Sequence, residues 1–532
     1  MKLAPIAVVG LLALAGCSGE IQSVTSVTQT GATVNARFTC SQGEAGDYWL
    51  EYRRVGATGA WAQVGRRAYN CSAAASDQSP YQLSGLSSGT SYEARVCADL
   101  DGSTPPLCTD ADGTIHAVSD NSGTRGDVSY FRFTTQAATS GAVALRQVDG
   151  GPGYYGQFSN PLPTDPSYFP IGVWGSYNHT QANRNLDADA GINLYVWAAD
   201  NSFMDDIRAD GRFRVIQDQG NRANVGAETA GWLLADEIDM QQGPGACGGS
   251  LQQIKNSLPS DGRARYANYG KGIFPGWQTD AQFACFVEAQ NLQSDDIYWF
   301  TDPNACTSLS EGPSLFGLGR ALTQGECRRA ANYGYVVDRM RALDARNGAR
   351  KPIWNFVEVS HPFSEGPPQS PTITGPQIRA AVWHSIIAGA RGIIYFQHSF
   401  GIGQPCYGDH HTLRSDCHGN RAAVKATNAQ VKALAPVLKA PFADGLVSTA
   451  AEVRTVAKYQ GGKFYVFAGN KEPGARSATF DVPCVGQATV TVLDEGRTIP
   501  LTGGRFTDSF ADGNTIHIYR IDGGSTCGLP PG

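Results

Sequence analysis

Between residues 169 and 397 the chain carries eight short apolar runs, at 169–174, 192–197, 213–217, 232–235, 264–268, 297–300, 353–357 and 393–397. Turn-forming residues bound them, so each reads as a buried strand. Helix-like segments alternate with the runs. Residues 328–343 are long and amphipathic, 377–390 follow the helix start Thr374-Gly-Pro, and 422–438 supply an eighth helix. This alternation predicts a parallel sheet. Eight units over about 270 residues match a (β/α)8 barrel in size. Only about a dozen residues separate Asp218 from Gly231, so the third helix is expected to be short or absent.

The flanks read differently. Residues 21–136 carry strand-like runs such as Ala32-Thr-Val-Asn-Ala-Arg-Phe-Thr and Tyr92-Glu-Ala-Arg-Val. Leu83-Ser-Gly-Leu-Ser-Ser-Gly-Thr-Ser-Tyr92, Tyr48-x-Leu-x-Tyr52-Arg53 and Tyr130-Phe-Arg-Phe-Thr-Thr resemble the E-to-F corner, third strand and last strand of a fibronectin type III domain. That resemblance implies a β-sandwich that acts as spacer or binding module. Small residues at 137–141 form a linker. The barrel is placed at 145–440. Short strand-like runs return at 446–525, which predicts a closing antiparallel β-sandwich.

Residues 1–17 read as an export signal, with Lys2 ahead of a short apolar stretch. Its end, Leu14-Ala-Gly-Cys17, resembles the bacterial lipobox. The resemblance implies lipidation of Cys17 and anchoring in a bacterial cell envelope. Removing Cys17 from the 13 cysteines leaves 12. An even set in an exported chain reads as disulfides. The neighbouring couples are Cys40/Cys71, Cys97/Cys108, Cys247/Cys285, Cys306/Cys327, Cys406/Cys417 and Cys484/Cys527, although spacing leaves the connectivity open. A formal net charge of -6 gives no reason to expect nucleic acid.

Two runs end on carboxylates, Gly231-Trp-Leu-Leu-Ala-Asp236-Glu237-Ile-Asp239 and Pro352-Ile-Trp-Asn-Phe-Val-Glu358-Val. Barrel chemistry sits at C-terminal strand ends. Two facing carboxyls there suit glycosidic cleavage, in which one protonates the leaving oxygen and the other attacks or stabilises the positive ring. In this layout the chain resembles the clan A retaining glycoside hydrolases, which carry a glutamate acid/base after the fourth strand and a glutamate nucleophile ending the seventh. The resemblance implies that Glu237 is the acid/base and Glu358 the nucleophile, acting on a glycan without a cofactor. Those enzymes usually have Asn before the acid/base, where this chain has Asp236. The departure leaves room for Asp236 or Asp239 in a working role.

Trp174, Trp197, Trp299 and Trp354 lie at or near the expected rim, where aromatic faces stack on sugars. Asn268, Tyr269, Asp200, Asp218 and Asp302 follow strands and suit hydroxyl contacts. Tyr298 is the candidate to contact the nucleophile. After the eighth run, His398 is expected to line the site, with His361 a weaker candidate. The loop with Asp409, His410, His411 and His418 matches no recognised ligand spacing, so no metal is expected. The same aromatic rim also suits a non-catalytic glycan-binding lipoprotein.

Overall fold

The computed structural model describes residues 18–27, 31–40, 45–55, 61–71, 75–77, 80–84, 86, 90–100, 107–109, 115–117, 131–135, 143–199, 201–218, 224–241, 249–344, 350–366 and 369–529. The export signal with Cys17, the linker, Asp200, Cys247 and most of the corner before Tyr92 lie outside these residues. Two compact units divide the chain, 1–138 and 139–532.

The first unit consists of two antiparallel sheets. Gly31–Cys40 pairs with Ser18–Thr25, Ala75–Asp77 and Pro80–Ser84. Ala45–Arg54 pairs with Ala62–Asn70 and Ser91–Leu100, and the latter pairs in turn with Phe131–Thr134. Every second residue of Gly31–Cys40 is buried, as expected of a strand with one face on a core. That core includes Val34, Phe38, Tyr48, Leu50, Tyr69, Tyr92 and Val96. Disulfides Cys40–Cys71 and Cys97–Cys108 staple the unit.

In the second unit eight parallel strands form the barrel. They are β1 (Ile171–Ser176), β2 (Leu194–Ala198), β3 (Arg214–Asp218), β4 (Thr229–Asp236), β5 (Ala264–Tyr269), β6 (Leu292–Asp295), β7 (Trp354–Glu358) and β8 (Gly392–Phe396). The sheet runs β6-β5-β4-β3-β2-β1-β8-β7, and a parallel bridge between Gln293 and Ile353 closes the ring. Side chains alternate between an interior and an exterior. Leu194, Val196, Ile216, Leu233, Tyr266, Leu292, Trp354, Phe356 and Ile394 fill the interior. Tyr195, Val215, Trp232, Val357 and Ile393 face outward onto the helices. No helix lies between β3 and β4 among the described residues, in keeping with the short spacing. Among the described residues no helix is long and apolar enough to cross a membrane.

One strand differs from the expectation. The sixth is Leu292-Gln-Ser-Asp295, whereas 297–300 lie in the loop beyond it. The strand is fully buried despite its polarity, and Ser294 finds partners inside the barrel. Ser294 Oγ donates to Asn268 Oδ1 at 2.6 Å and bonds the Tyr266 hydroxyl. Apolar patterning therefore pointed to the wrong segment.

A nine-stranded antiparallel sheet closes the chain. Its first strand, Ala144–Arg146, precedes the barrel and pairs with Phe442–Asp444 behind it. The chain thus enters and leaves the barrel through one sheet. Trp383, on the helix Gly375–Ile387, stacks on Phe467 of that sheet at 5.6 Å. Cys306–Cys327, Cys406–Cys417 and Cys484–Cys527 form as coupled above.

Trp354 does not reach the rim. It is fully buried in the barrel interior, 5.3 Å from Tyr266, and its indole N–H donates to the Tyr155 hydroxyl at 3.2 Å. Replacing a buried Trp with Ala removes transfer free energy and leaves a cavity, a loss of about 3–5 kcal/mol. Trp354→Ala is expected to lower the urea midpoint accordingly. An unchanged midpoint would remove Trp354 from the core.

Candidate active site

At the end of β4 the backbone leaves the strand through Glu237, which adopts φ +48°. Its N–H donates to the Asn268 carbonyl at 3.0 Å, and its own carbonyl accepts from Met240 N at 3.0 Å. This turn starts the short helix Ile238–Gln241. A left-handed conformation costs a non-glycine residue about 1–2 kcal/mol, and such strain collects at functional sites. Trp197, at the end of β2, does the same with φ +56°. Room for the Glu237 side chain depends on Gly270. A Cβ there would lie 3.1 Å from Glu237 Oε1 and 2.5 Å from Met240 Sδ.

Carboxyl groups crowd the ends of β4 and β6. Asp236 is half-buried, and its Oδ1 accepts from Asn268 Nδ2 at 2.9 Å. Burial holds its carboxyl above the usual range. Glu237 is pushed up first by burial and then by the charge of Asp236, while a hydrogen bond with Asp296 and the charge of Lys271 oppose the shift. Asp296 is pushed well up by burial and then by the charges of Glu237 and Asp236. Burial and neighbouring carboxylate charge thus push both Glu237 and Asp296 up, toward their protonated forms. The Tyr298 hydroxyl donates to Asp296 Oδ2 at 3.4 Å. Asp295 is buried with neither oxygen hydrogen-bonded, and burial drives its carboxyl well up. Lys271 bridges Asp302 and Glu311, at 2.8 Å each.

Glu358 ends β7 as expected, but it is sealed, with 0% exposure. Oε1 accepts from Phe300 N at 2.8 Å and from the Tyr333 hydroxyl at 2.6 Å. Oε2 accepts from Thr301 N at 3.1 Å and from the Thr301 hydroxyl. Both oxygens are doubly engaged, so neither offers a lone pair to a sugar in this arrangement. Glu358, expected as the nucleophile opposite Glu237, is sealed behind these donors in this arrangement. Glu358 ties the end of β7 to the loop after β6 and to the helix Ala331–Asp344.

Other expected contacts are redistributed. Asn268 is fully buried, with one side-chain atom given to Asp236 and the other to Ser294, so it positions Asp236 rather than a ligand. Trp174 is 4% exposed and packs on Trp197 and Phe356, which leaves Trp197 as the part-exposed tryptophan of the rim. Trp299 and Tyr269 are buried outside the barrel. Tyr298 lies on the loop after β6 and packs against Phe396 at 4.8 Å and Phe363 at 6.2 Å. Its hydroxyl is pushed well up by burial and then by Asp296, Glu237, Asp236 and Glu358, which locates all four near it.

His398 Nε2 meets the Trp174 carbonyl at 3.0 Å, and Nδ1 meets His410 Nδ1 at 3.2 Å. A carbonyl only accepts, so Nε2 carries the hydrogen and Nδ1 accepts. Burial lowers this imidazole to about 4, so it is neutral. Both nitrogens are committed, and His398 stiffens the wall behind the site rather than binding a sugar. Close approach requires Gly175, where a Cβ would lie 2.9 Å from His398 Nε2. His361 is likewise committed, to Thr372 and the Glu365 carbonyl. Two places among the described residues gather three metal-ligand types, Cys406/Cys417/His418 and Glu51/Cys97/Cys108. Each contains a disulfide, so its sulfurs are not thiolates.

The sequence reading missed Asp296, Tyr177 and Phe400. Misplacing the sixth strand hid Asp296, which directly follows the true strand. Tyr177, just past β1, and Phe400, past β8, are exposed aromatics. Phe400 stacks on His398 at 5.6 Å, and Tyr177 sets its edge to His410 at 6.0 Å. Their position after strand ends was the available signal.

The chain matches no protein-family model and no curated protein. Solved structures similar to it include a GH30 endoxylanase from Clostridium papyrosolvens C71, at 11% identity and TM-score 0.39, covering 72% of this chain and 100% of that one. A structure titled glycoside hydrolase has 12% identity and TM-score 0.42, covering 72% and 97%. AmyP in complex with maltose has 10% identity and TM-score 0.42, covering 68% and 97%. At these values the likeness carries no information about individual residues or substrate.

Asp239 gives a stability test. It is fully buried and is pushed up to about 7 by burial, against hydrogen bonds from Gly270 N at 3.1 and 3.2 Å. The unfolded carboxyl titrates near the ordinary value of 3.8. Between these values the folded state binds the extra proton, so stability falls as pH rises. Urea denaturation is expected to show a more stable protein at pH 5 than at pH 8. Asp239→Asn is expected to flatten that slope, and an unaltered slope would contradict the assignment.

Proposed function

We propose that the chain is a glycoside hydrolase in which Glu237 is the general acid. The observation that carries this reading is the placement of the Glu237 and Asp296 carboxyls side by side just past the C-terminal ends of β4 and β6, where burial and neighbouring carboxylate charge push both up. Cleavage of a glycosidic bond needs a proton for a poor alkoxide leaving group, and a carboxyl that is still protonated near neutral pH can supply it. Asp236 has one oxygen held by Asn268 and keeps the other for the positive charge that develops on the sugar ring. Trp197, Tyr177 and Phe400 offer apolar faces to the ring. Glu358 has four donors on its carboxylate, and this reading therefore gives it no nucleophile role. A purely glycan-binding protein would gain nothing from several desolvated acids, which cost stability.

The substrate class is a poly- or oligosaccharide, with no cofactor invoked. A polysaccharide panel assayed with wild type, Glu237→Gln and Glu358→Gln tests the proposal. Glu237→Gln is expected to lower kcat by about 10²–10⁴-fold, the usual worth of a general acid, with the thermal midpoint little changed. Glu358→Gln places an NH2 against donors and is expected to lower the thermal midpoint. Unaltered turnover in Glu237→Gln would defeat the reading. Lost turnover with full stability in Glu358→Gln would return that residue to the catalytic set.

We further infer that the chain is exported and anchored by a lipid on Cys17, with the N-terminal unit serving as a fibronectin type III-like spacer. The apolar leader ending in Leu-Ala-Gly-Cys17 supports the anchor. Expressed in a bacterium, the wild type is expected in the membrane fraction and Cys17→Ala in the soluble exported fraction. Equal partition of the two would exclude the anchor.

A further inference from the structure

At the N-terminal ends of β5 and β6, away from the carboxyl-rich strand ends, the barrel carries a cup of about 290 Å³. Strand β5 has six residues, so the two faces lie about 20 Å apart. The cup is lined by Lys255, Arg263, Arg265, Asn291 and Phe158, among others, and among the described residues no carboxylate lines it. Arg263 is already engaged by Asp261, the Thr229 carbonyl and the Gly226 carbonyl. Lys255 and Arg265 are different. Both are partly buried, and among the described residues neither side chain has a hydrogen-bond or ion-pair partner. Asn291 spends its Oδ1 on Arg265 N, at 2.9 Å, and keeps its Nδ2 donors. Phe158, held edge-on by Tyr154 at 5.7 Å, adds an apolar wall.

Two uncommitted cations facing one cavity repel each other, and a bound anion offsets that repulsion. A guanidinium meets a carboxylate or sulfate through two parallel N–H bonds, and the ammonium adds a point charge. The aromatic wall suits the C–H face of a sugar ring. Ligand pockets begin at about 300 Å³, so the cup has room for about one ring. We propose that it is an accessory site for an anionic sugar, a ring that bears a carboxylate or a sulfate ester. The proposal does not rest on the hydrolase reading.

Titration calorimetry of the full chain tests it, with a galacturonate trisaccharide, a sulfated disaccharide, a neutral trisaccharide and inorganic sulfate as probes. An anionic sugar is expected to bind, and whichever one binds identifies the class. Arg265→Ala and Lys255→Ala, on separate elements, are each expected to weaken binding at least about tenfold, as loss of a charge-assisted hydrogen bond does. Their thermal midpoints should stay near wild type, and Glu237→Gln should bind as wild type does. Three results would overturn the proposal: no binding of either anionic sugar, binding unaffected by both cup variants, or inorganic sulfate binding as tightly as the sugars, which would mean an adventitious ion only.

Discussion

Desolvated carboxyl groups at one end of a closed barrel are the constraint to which the surrounding structure answers. Taking an ionised carboxylate out of water is costly unless donors replace the lost hydration. The chain uses three solutions. Glu358 takes four donors, two of them backbone N–H groups of one turn. Asp302 and Glu311 share the Lys271 ammonium. Glu237 and Asp296 are instead pushed up toward their protonated forms by burial and by neighbouring carboxylate charge. The three solutions leave otherwise similar acids in different states of engagement, and the proposed acid belongs to the third.

Behind that rim a polar thread runs through the barrel. The Tyr266 hydroxyl bonds Ser294, Ser294 donates to Asn268, and Asn268 donates to Asp236. Buried polar groups stay satisfied only when each neighbour is in place, so the thread fixes the orientation of Asp236 from below. Above it, the left-handed turn at Glu237 lifts the next side chain off the strand axis. Two adjacent residues, which strict alternation would send to opposite faces, both act on Asp296 and Tyr298. The strain at Glu237 is thus tied to a specific convergence of charges.

The opposite face shows a different electrostatic pattern. There Arg263 is consumed by Asp261 and backbone carbonyls, while among the described residues Lys255 and Arg265 have no side-chain partner. Among the described residues, acidic groups gather at the C-terminal strand ends and basic groups at the N-terminal cup. A net charge of -6 for the whole chain conceals this polarity.

Much of the architecture was legible from local pattern. Seven of the eight barrel strands fall within a few residues of the apolar runs, because burial on both faces favours near-continuous apolar residues. Five neighbouring cysteine couples bond as their proximity in sequence suggested. Glu237 was visible as a carboxylate at a strand end. The sixth strand was not visible, because Gln293, Ser294 and Asp295 become strand-like only inside the closed ring. The fates of Glu358, Asn268 and Trp354 were also undetermined by sequence. Each looks like a rim residue in one dimension, and each is claimed by groups far away in the chain, such as Tyr333, Ser294 and Tyr155. Periodicity and turn chemistry are local, so the sequence alone determined the barrel and the position of Glu237. Whether a carboxyl is sealed, paired or left holding a proton depends on donors brought by distant segments, and only the tertiary structure decided that.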